Sequence, residues 1–175
     1  MTATPPPTPA VDPVALVGDG HDPVYTLRVL RSRLRLGGIR TATLTCQDDL
    51  PGIRRHGWVL VGDEACWLVE AAFASGYGGQ GAEALAQTVR HLTRARVRLQ
   101  WQTGWPDWAV MAGGVPAMRD WLGSASPLWV RRHDRCDRYG VTFDPSDSLL
   151  TIADPPSARR RQADDPRQLA LFADA

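Results

Sequence analysis

Three patterns in the sequence predict an α+β fold. Apolar residues recur at three- and four-residue steps in two segments, as they do on one face of a helix. Short runs that are rich in β-branched residues, or in which apolar and polar residues alternate, lie between and after these segments, as is typical of strands. Hydrophobic residues make up 43% and charged residues 22% of the 175 residues, which is a globular composition. We therefore expect a single small domain with a mixed or mostly antiparallel sheet packed by two or three helices.

End signals and spacing mark the predicted helices. Asp22 can cap a helix that has Pro23 in its first position, and the glycines at 37 and 38 would end it. Its apolar face consists of Val24, Leu27, Leu30 and Leu34, and the arginines at 28, 31, 33 and 35 mostly point outward. A second helix is predicted over 81–93 and a short third one over 116–122.

Strands are predicted in the remaining apolar runs. They cover residues 41–46, 58–61, 66–71, 97–101, 128–130 and 140–152. Gly62-Asp63-Glu64 predicts a hairpin between the second and third of these strands. Pro145-Ser146-Asp147 predicts a turn inside the last segment.

Composition divides the chain into four parts. Residues 1–12 are rich in Pro and Thr and are predicted to be disordered, because proline fixes φ and lacks the N–H. Residues 13–153 form the predicted domain, 154–167 a flexible linker without large apolar side chains, and 168–172 a short apolar peptide. The N-terminus lacks the pattern of a signal peptide, and no apolar run is long enough for a membrane span. We expect a cytoplasmic protein that does not contact a membrane.

The basic residues exclude several enzyme classes. All 20 are arginines, so there is no lysine for a phosphate-binding P-loop, for a Schiff base or for a restriction-type nuclease site. The net charge of +1 predicts no general attraction to nucleic acid. Any contact with DNA must therefore be local.

The cysteines do not form a recognisable metal motif. Cys46, Cys66 and Cys136 are widely spaced, and His133 with Cys136 gives one H-x-x-C, for which Cys46 or His56 would be distant partners. Too few ligands remain for a strong zinc prediction. We expect buried, reduced thiols and no metal or cofactor.

Carboxylates on one predicted hairpin offer an enzymatic alternative. Asp63, Glu64 and Glu70 could bind Mg²⁺ for phosphodiester chemistry if other ligands came from elsewhere in the fold. In the simpler interpretation, Asp63 shapes the turn, Glu64 is solvated and Glu70 faces outward or pairs with an arginine.

Tryptophan is abundant, with seven residues. Trp101, Trp105 and Trp108 follow the arginines of 94–98 and could stack on single-stranded nucleic acid. Because Trp101 continues an alternating strand pattern, core packing is the preferred interpretation.

A glycine-rich segment leads into the second helix, where first-turn N–H groups could bind an anion. The candidate anion-binding residues are Gly76, Tyr77, Gly78, Gly79 and Gly81. The alternative is structural, because glycines permit positive φ and close packing. The segment covering about residues 73–93, in which residues 73–81 are followed by a helix rich in Ala and Leu, resembles a family of uncharacterised bacterial and phage-associated domains. That family has Gly-Tyr-Gly-Gly-Ser-Gly-Pro before a similar helix, and this chain differs from it at Gln80 and Ala82. That resemblance implies no activity.

The C-terminal peptide Gln168-Leu169-Ala170-Leu171-Phe172 resembles the pentapeptide by which bacterial polymerases and repair factors bind the DNA sliding clamp. The resemblance covers four of the five positions and differs at the tolerant middle one, Ala170. It implies that Gln168 orients the peptide by hydrogen bonds, that Leu171 and Phe172 fill an apolar pocket, and that Leu169 fills a shallower site. The alternative is a short amphipathic helix that docks Leu169 and Phe172 on the protein's own domain.

These observations predict an accessory protein of DNA replication, repair or mobile-element maintenance that the clamp recruits through Gln168, Leu169, Leu171 and Phe172. Two other hypotheses stay open. One is a metal-dependent nuclease or other phosphate-directed enzyme, and the other is an interaction module of a phage or integrated element.

Overall fold

The structure is a computed structural model that describes residues 14–50, 53–63, 65–76, 79–133 and 140–153. Within these ranges it contains four α-helices and two mixed sheets, which confirms the predicted α+β class. The predicted tails, residues 1–12 and 154–172, lie outside the described residues, as do Glu64, Tyr77, Gly78 and Cys136.

A six-stranded sheet forms the centre of the domain. Its strands are β1 (Ala15–Val17), β2 (Ile39–Leu50), β3 (Ile53–Gly62), β4 (Cys66–Ser75), β5 (Arg98–Thr103) and β6 (Ser126–Pro127). They lie in the order β1-β4-β3-β2-β5-β6. Neighbours β2, β3 and β4 are antiparallel, whereas β1 joins β4 and β5 joins β2 in parallel.

Local end signals place the long helices where the sequence predicts them. Helix α1 (Pro23–Leu36) begins after Asp22, whose carboxylate accepts hydrogen bonds from the backbone N–H groups of Val24 and Tyr25 at 3.0 and 2.8 Å. It ends at Gly37, which has a φ of +76° that favours glycine. Helix α2 (Gln80–Arg94) matches the predicted second helix.

Two short helices occupy the segment after β5. Helix α3 (Trp108–Ala112) was not predicted, because a stretch of five residues shows no clear periodicity. It is capped by Asp107, whose carboxylate accepts a hydrogen bond from the Val110 N–H at 2.9 Å. Helix α4 (Gly114–Trp121) corresponds to the predicted third helix.

The sheet is covered on both faces. Successive apolar side chains of its central strands point alternately to one face and to the other. Trp58 and Leu60 face the main core, together with Leu44 of β2 and the apolar sides of α1 and α2. Val59 and Val61 belong to a second core, which includes Val115 and Met118 of α4. The domain is therefore three layers deep at the central strands.

A second sheet consists of β7 (Trp129–His133), β8 (Gly140–Asp144) and β9 (Leu149–Ala153). Its strands lie in the order β7-β9-β8, and the sheet extends the main core. The hairpin between β8 and β9 turns at 145–148, as predicted. Strand β8 reaches the large sheet where the Gly76 N–H donates to the Val141 carbonyl oxygen at 2.8 Å.

Strands β3 and β4 lose register at Gly57. His56 pairs with Phe73 and Trp58 with Val69, so a single residue of β3 stands opposite three residues of β4. Such a bulge bends a strand and increases its twist. A Cβ at Gly57 would lie 2.5 Å from the Trp105 ring, so only glycine fits beneath that indole.

Candidate functional site

Two of the carboxylates proposed for Mg²⁺, Asp63 and Glu70, have structural partners, and the third, Glu64, lies outside the described residues. Asp63 accepts a bidentate hydrogen bond from Arg40, with a shortest distance of 3.0 Å, and that hydrogen bond and charge lower the pKa of Asp63. Glu70 accepts the Gly20 N–H at 2.6 Å. Glu70 lies four residues, about 13 Å, along β4 from Cys66, the first residue after the turn that contains Asp63. The two carboxylates are therefore at different places on the hairpin. In the described residues no three His, Cys, Asp or Glu side chains are placed to hold a metal ion.

Glu70 and Arg55 together fix the β1–α1 turn. The Arg55 guanidinium donates to the carbonyl oxygens of Gly20 and Ala71 at 3.0 and 3.1 Å, while Glu70 takes the Gly20 N–H. Ala71 lies in the part of β4 that bulges opposite Gly57. Glu70 therefore has a structural role: it accepts a hydrogen bond from the turn that precedes α1 and holds that turn in place.

The glycine segment is described at Gly76, Gly79 and Gly81 only. Gly76 and Gly79 have φ of +91° and +151°, so the backbone there requires glycine. Gly81 is buried in the first turn of α2, a turn that also contains Glu83. A carboxylate at this place complements the helix dipole itself and would oppose a second anion. Anion binding at this segment stays a prediction.

The three tryptophans of the proposed stacking surface do not share an environment. Trp101 is half-buried, donates its indole N–H to the Ser148 hydroxyl at 2.9 Å and packs edge-on against Phe143. Trp105 is half-buried over Gly57, and Trp108 is 79% exposed. Core packing therefore describes Trp101 and Trp105, whereas Trp108 is free of the core.

Sequence reasoning missed a buried polar cluster formed by Cys46, His56 and Ser75. The Nε2 of His56 lies 2.7 Å from the Ser75 hydroxyl oxygen, and its Nδ1 lies 3.3 Å from the Cys46 sulfur. Burial, and secondarily the charge of Arg54, lower the pKa of His56 to about 4. His56 is fully buried and Ser75 is 2% exposed, so no substrate reaches this serine–histidine pair in the folded state. His56 and Ser75 are 19 residues apart, a spacing that matches no motif in the sequence.

A groove between α1 and α2 brings arginines of both helices together. The two helices run in the same direction: Leu27 near the start of α1 lines the groove with Ala84, and Leu34 near its end with His91. The half of the groove near both C-termini has a volume of roughly 370 Å³. It is lined by Arg31, Leu34, Arg35, His91, Arg94 and Ala95.

Positive charge is concentrated in that half. The pKa of His91 is lowered by partial burial and then by the charges of Arg31, Arg94, Arg35 and Arg90. Arg31, Arg35 and Arg94 are exposed, and none of the three forms a salt bridge within the described residues. The i,i+4 pairs at 31/35 and 90/94 are the sequence signal that could have revealed this surface.

The remaining predicted sites are only partly within the described residues. Cys46 and Cys66 are buried, and burial raises the pKa of Cys66 to about 12. His133 is exposed at the end of β7, and its proposed partner Cys136 is outside the described residues. Gln168, Leu169, Leu171 and Phe172 are outside them as well.

Comparison with known proteins identifies a similar fold and no family. No family model matches the chain, and no curated protein does. A chain in a solved structure of respiratory complex I from Thermus thermophilus is similar with a TM-score of 0.51 and 22% sequence identity. The match covers 65% of the present chain and 94% of that chain. At this identity the likeness concerns the fold alone.

No helix in the described part of the chain is long and apolar enough to cross a membrane.

Proposed function

We propose that the protein is a cytoplasmic accessory factor of DNA replication, repair or mobile-element maintenance that is recruited to the sliding clamp by its C-terminal peptide. The observation that carries the proposal is the peptide Gln168-Leu169-Ala170-Leu171-Phe172, which agrees with the clamp-binding pattern at four of five positions. Its place in the chain supports it, because the last described strand ends at Ala153 and a polar segment of the sequence separates that strand from the peptide.

The energetics of so short a motif suit an exchangeable partner. Burying the side chains of Leu171 and Phe172 contributes roughly 1.5 to 3 kcal/mol each, and ordering the peptide costs part of this gain. The result is binding on the order of micromolar. A ring-shaped clamp with several equivalent sites reinforces such binding through multivalency.

The test is a titration of the full chain and of a labelled peptide covering residues 164–175 against the cognate clamp. Leu171→Ala and Phe172→Ala should each weaken binding roughly 10- to 100-fold, because each removes most of a buried side chain. Ala170→Ser is the matched control, since it changes only the tolerant middle position, and it should bind like the unaltered sequence. Equal affinity of all four peptides would end the recruitment model.

The full chain separates recruitment from self-docking of the tail. If the peptide binds the clamp and the full chain does not, the tail is held by its own domain, and the proposal fails for the intact protein. If both bind with similar affinity, the peptide is accessible in the intact protein.

A further inference from the structure

We propose that the groove between α1 and α2 binds the phosphodiester backbone of duplex DNA without reading its sequence. The groove carries Arg28, Arg31 and Arg35 from α1 and Arg94 from α2, and the carboxylate Glu83 lies in the half near the helix N-termini, away from Arg35 and Arg94. This surface belongs to the folded domain and is independent of the clamp-binding peptide.

The arginines carry more positive charge than is needed to balance the negative C-terminal ends of the two helix dipoles. Because α1 and α2 are parallel, their C-terminal ends lie together, and each contributes a charge of roughly −0.5. Two such ends offset about one positive charge. The half of the groove at these ends is lined by Arg31, Arg35 and Arg94, so a surplus of about two positive charges remains there. In the other half, Glu83 balances Arg28. A surplus of this kind, on a protein whose overall net charge is +1, is a local site for a polyanion.

The spacing of the arginines suits a repeating anion. Arg28 and Arg35 are separated by seven residues, a rise of about 10 Å along α1. The phosphates of one DNA strand succeed each other every 3.4 Å along the duplex axis, so about three phosphates span this distance. The planar guanidinium group donates two parallel hydrogen bonds to phosphate, which favours arginine at such contacts.

The lining of the groove favours duplex over single-stranded DNA. Single-strand binding sites combine a basic track with aromatic rings on which bases stack. No Trp, Tyr or Phe lines either half of the groove among the residues described there. The strongly exposed indoles of Trp108 and Trp129 lie on α3 and β7, outside the groove.

The test measures binding of the full chain to a labelled 20-base-pair duplex by fluorescence anisotropy between 50 and 200 mM NaCl. Four phosphate contacts predict a log–log salt slope of about −3.6 and a loss of affinity of about 150-fold across this range. Arg31→Gln with Arg35→Gln removes two contacts, which should reduce the slope by about 1.8 and weaken binding about 60-fold at 0.1 M salt.

Matched variants separate the groove from net charge. Arg131→Gln with Arg132→Gln removes the same charge from exposed positions on β7 and should change affinity by less than about twofold. Arg31→Lys with Arg35→Lys keeps the charge and should restore most of the salt slope. A duplex of unrelated sequence should bind equally well.

Three results would overturn the proposal: no binding at 50 mM salt, equal losses in the two glutamine double variants, or tighter binding of a single strand of the same length. Leu171→Ala with Phe172→Ala should leave DNA affinity unchanged. Loss of clamp binding and loss of DNA binding are thus distinguishable.

Discussion

The buried imidazole of His56 should make the stability of the domain depend on pH between 7 and 5. Its folded-state pKa is about 4, and an unperturbed histidine has a pKa of about 6.5. The ring therefore stays neutral in the folded protein while the unfolded chain takes up a proton. Stability is fully present above pH 6.5 and is lost as the pH falls toward 4. From pH 7 to 5 the expected loss is about 2 kcal/mol.

Urea unfolding followed by tryptophan fluorescence at pH 7 and pH 5 measures this loss. His56→Gln removes the titrating ring and keeps an amide that can hydrogen-bond to Ser75. We expect the variant to be less stable than the native chain at pH 7 but to lose about 2 kcal/mol less between the two pH values. The carboxylates with lowered pKa, Asp63 and Asp144, titrate below this window and do not contribute to the difference.

His91→Gln is the control for the His56 experiment. The pKa of His91 is lowered as well, but its ring lies at the groove surface, where solvent screens the effect. This variant should keep most of the pH dependence. If the native chain and His56→Gln lose the same free energy between pH 7 and 5, the ring is not held neutral by burial and the reasoning is refuted.

Two further predictions concern packing and thiol chemistry. Gly57→Ala should lower the free energy of unfolding by about 2 to 3 kcal/mol, because its Cβ would lie 2.5 Å from the Trp105 ring. A Cβ at Gly123 would have no contacting atom within 4 Å. Gly123→Ala should therefore change the free energy of unfolding by less than about 0.5 kcal/mol in the same urea titration. Because the pKa of Cys66 is raised to about 12, the thiolate fraction at pH 8 is on the order of 10⁻⁴. Mass spectrometry after an iodoacetamide pulse should find Cys66 unmodified in buffer and alkylated in urea; alkylation at equal rates would contradict the prediction.

The elements predicted from the sequence are those whose signals are local. The cap at Asp22, the proline that follows it and the glycine at 37 lie within one helix length, and the observed α1 begins and ends at these positions. Strand β4 was predicted to end at Ala71 but continues to Ser75. Alanines at 72 and 74 have low strand preference, and the pairing with β3 overrides it.

The candidate sites depended on pairings far apart in the chain. Strand β2 pairs in parallel with β5, with Thr41 opposite Arg98, and no local pattern encodes that partnership. The arginines of α1 were predicted mostly to face solvent, and Arg28, Arg31 and Arg35 are exposed while Arg33 is half-buried. Their proximity to Arg94 follows only from the parallel packing of two helices that are distant in sequence.

The large sheet ends in its two shortest strands, which limits strand pairing with a second molecule at those positions. Strand β1 has three residues and β6 has two, so each leaves few backbone hydrogen-bonding groups for a neighbouring molecule. In the smaller sheet, one of the two outer strands, β7, ends in the exposed residues Arg131, Arg132 and His133. Positive charge on this edge strand repels the same edge strand of a second molecule. A high protein concentration should therefore not cause edge-to-edge pairing there.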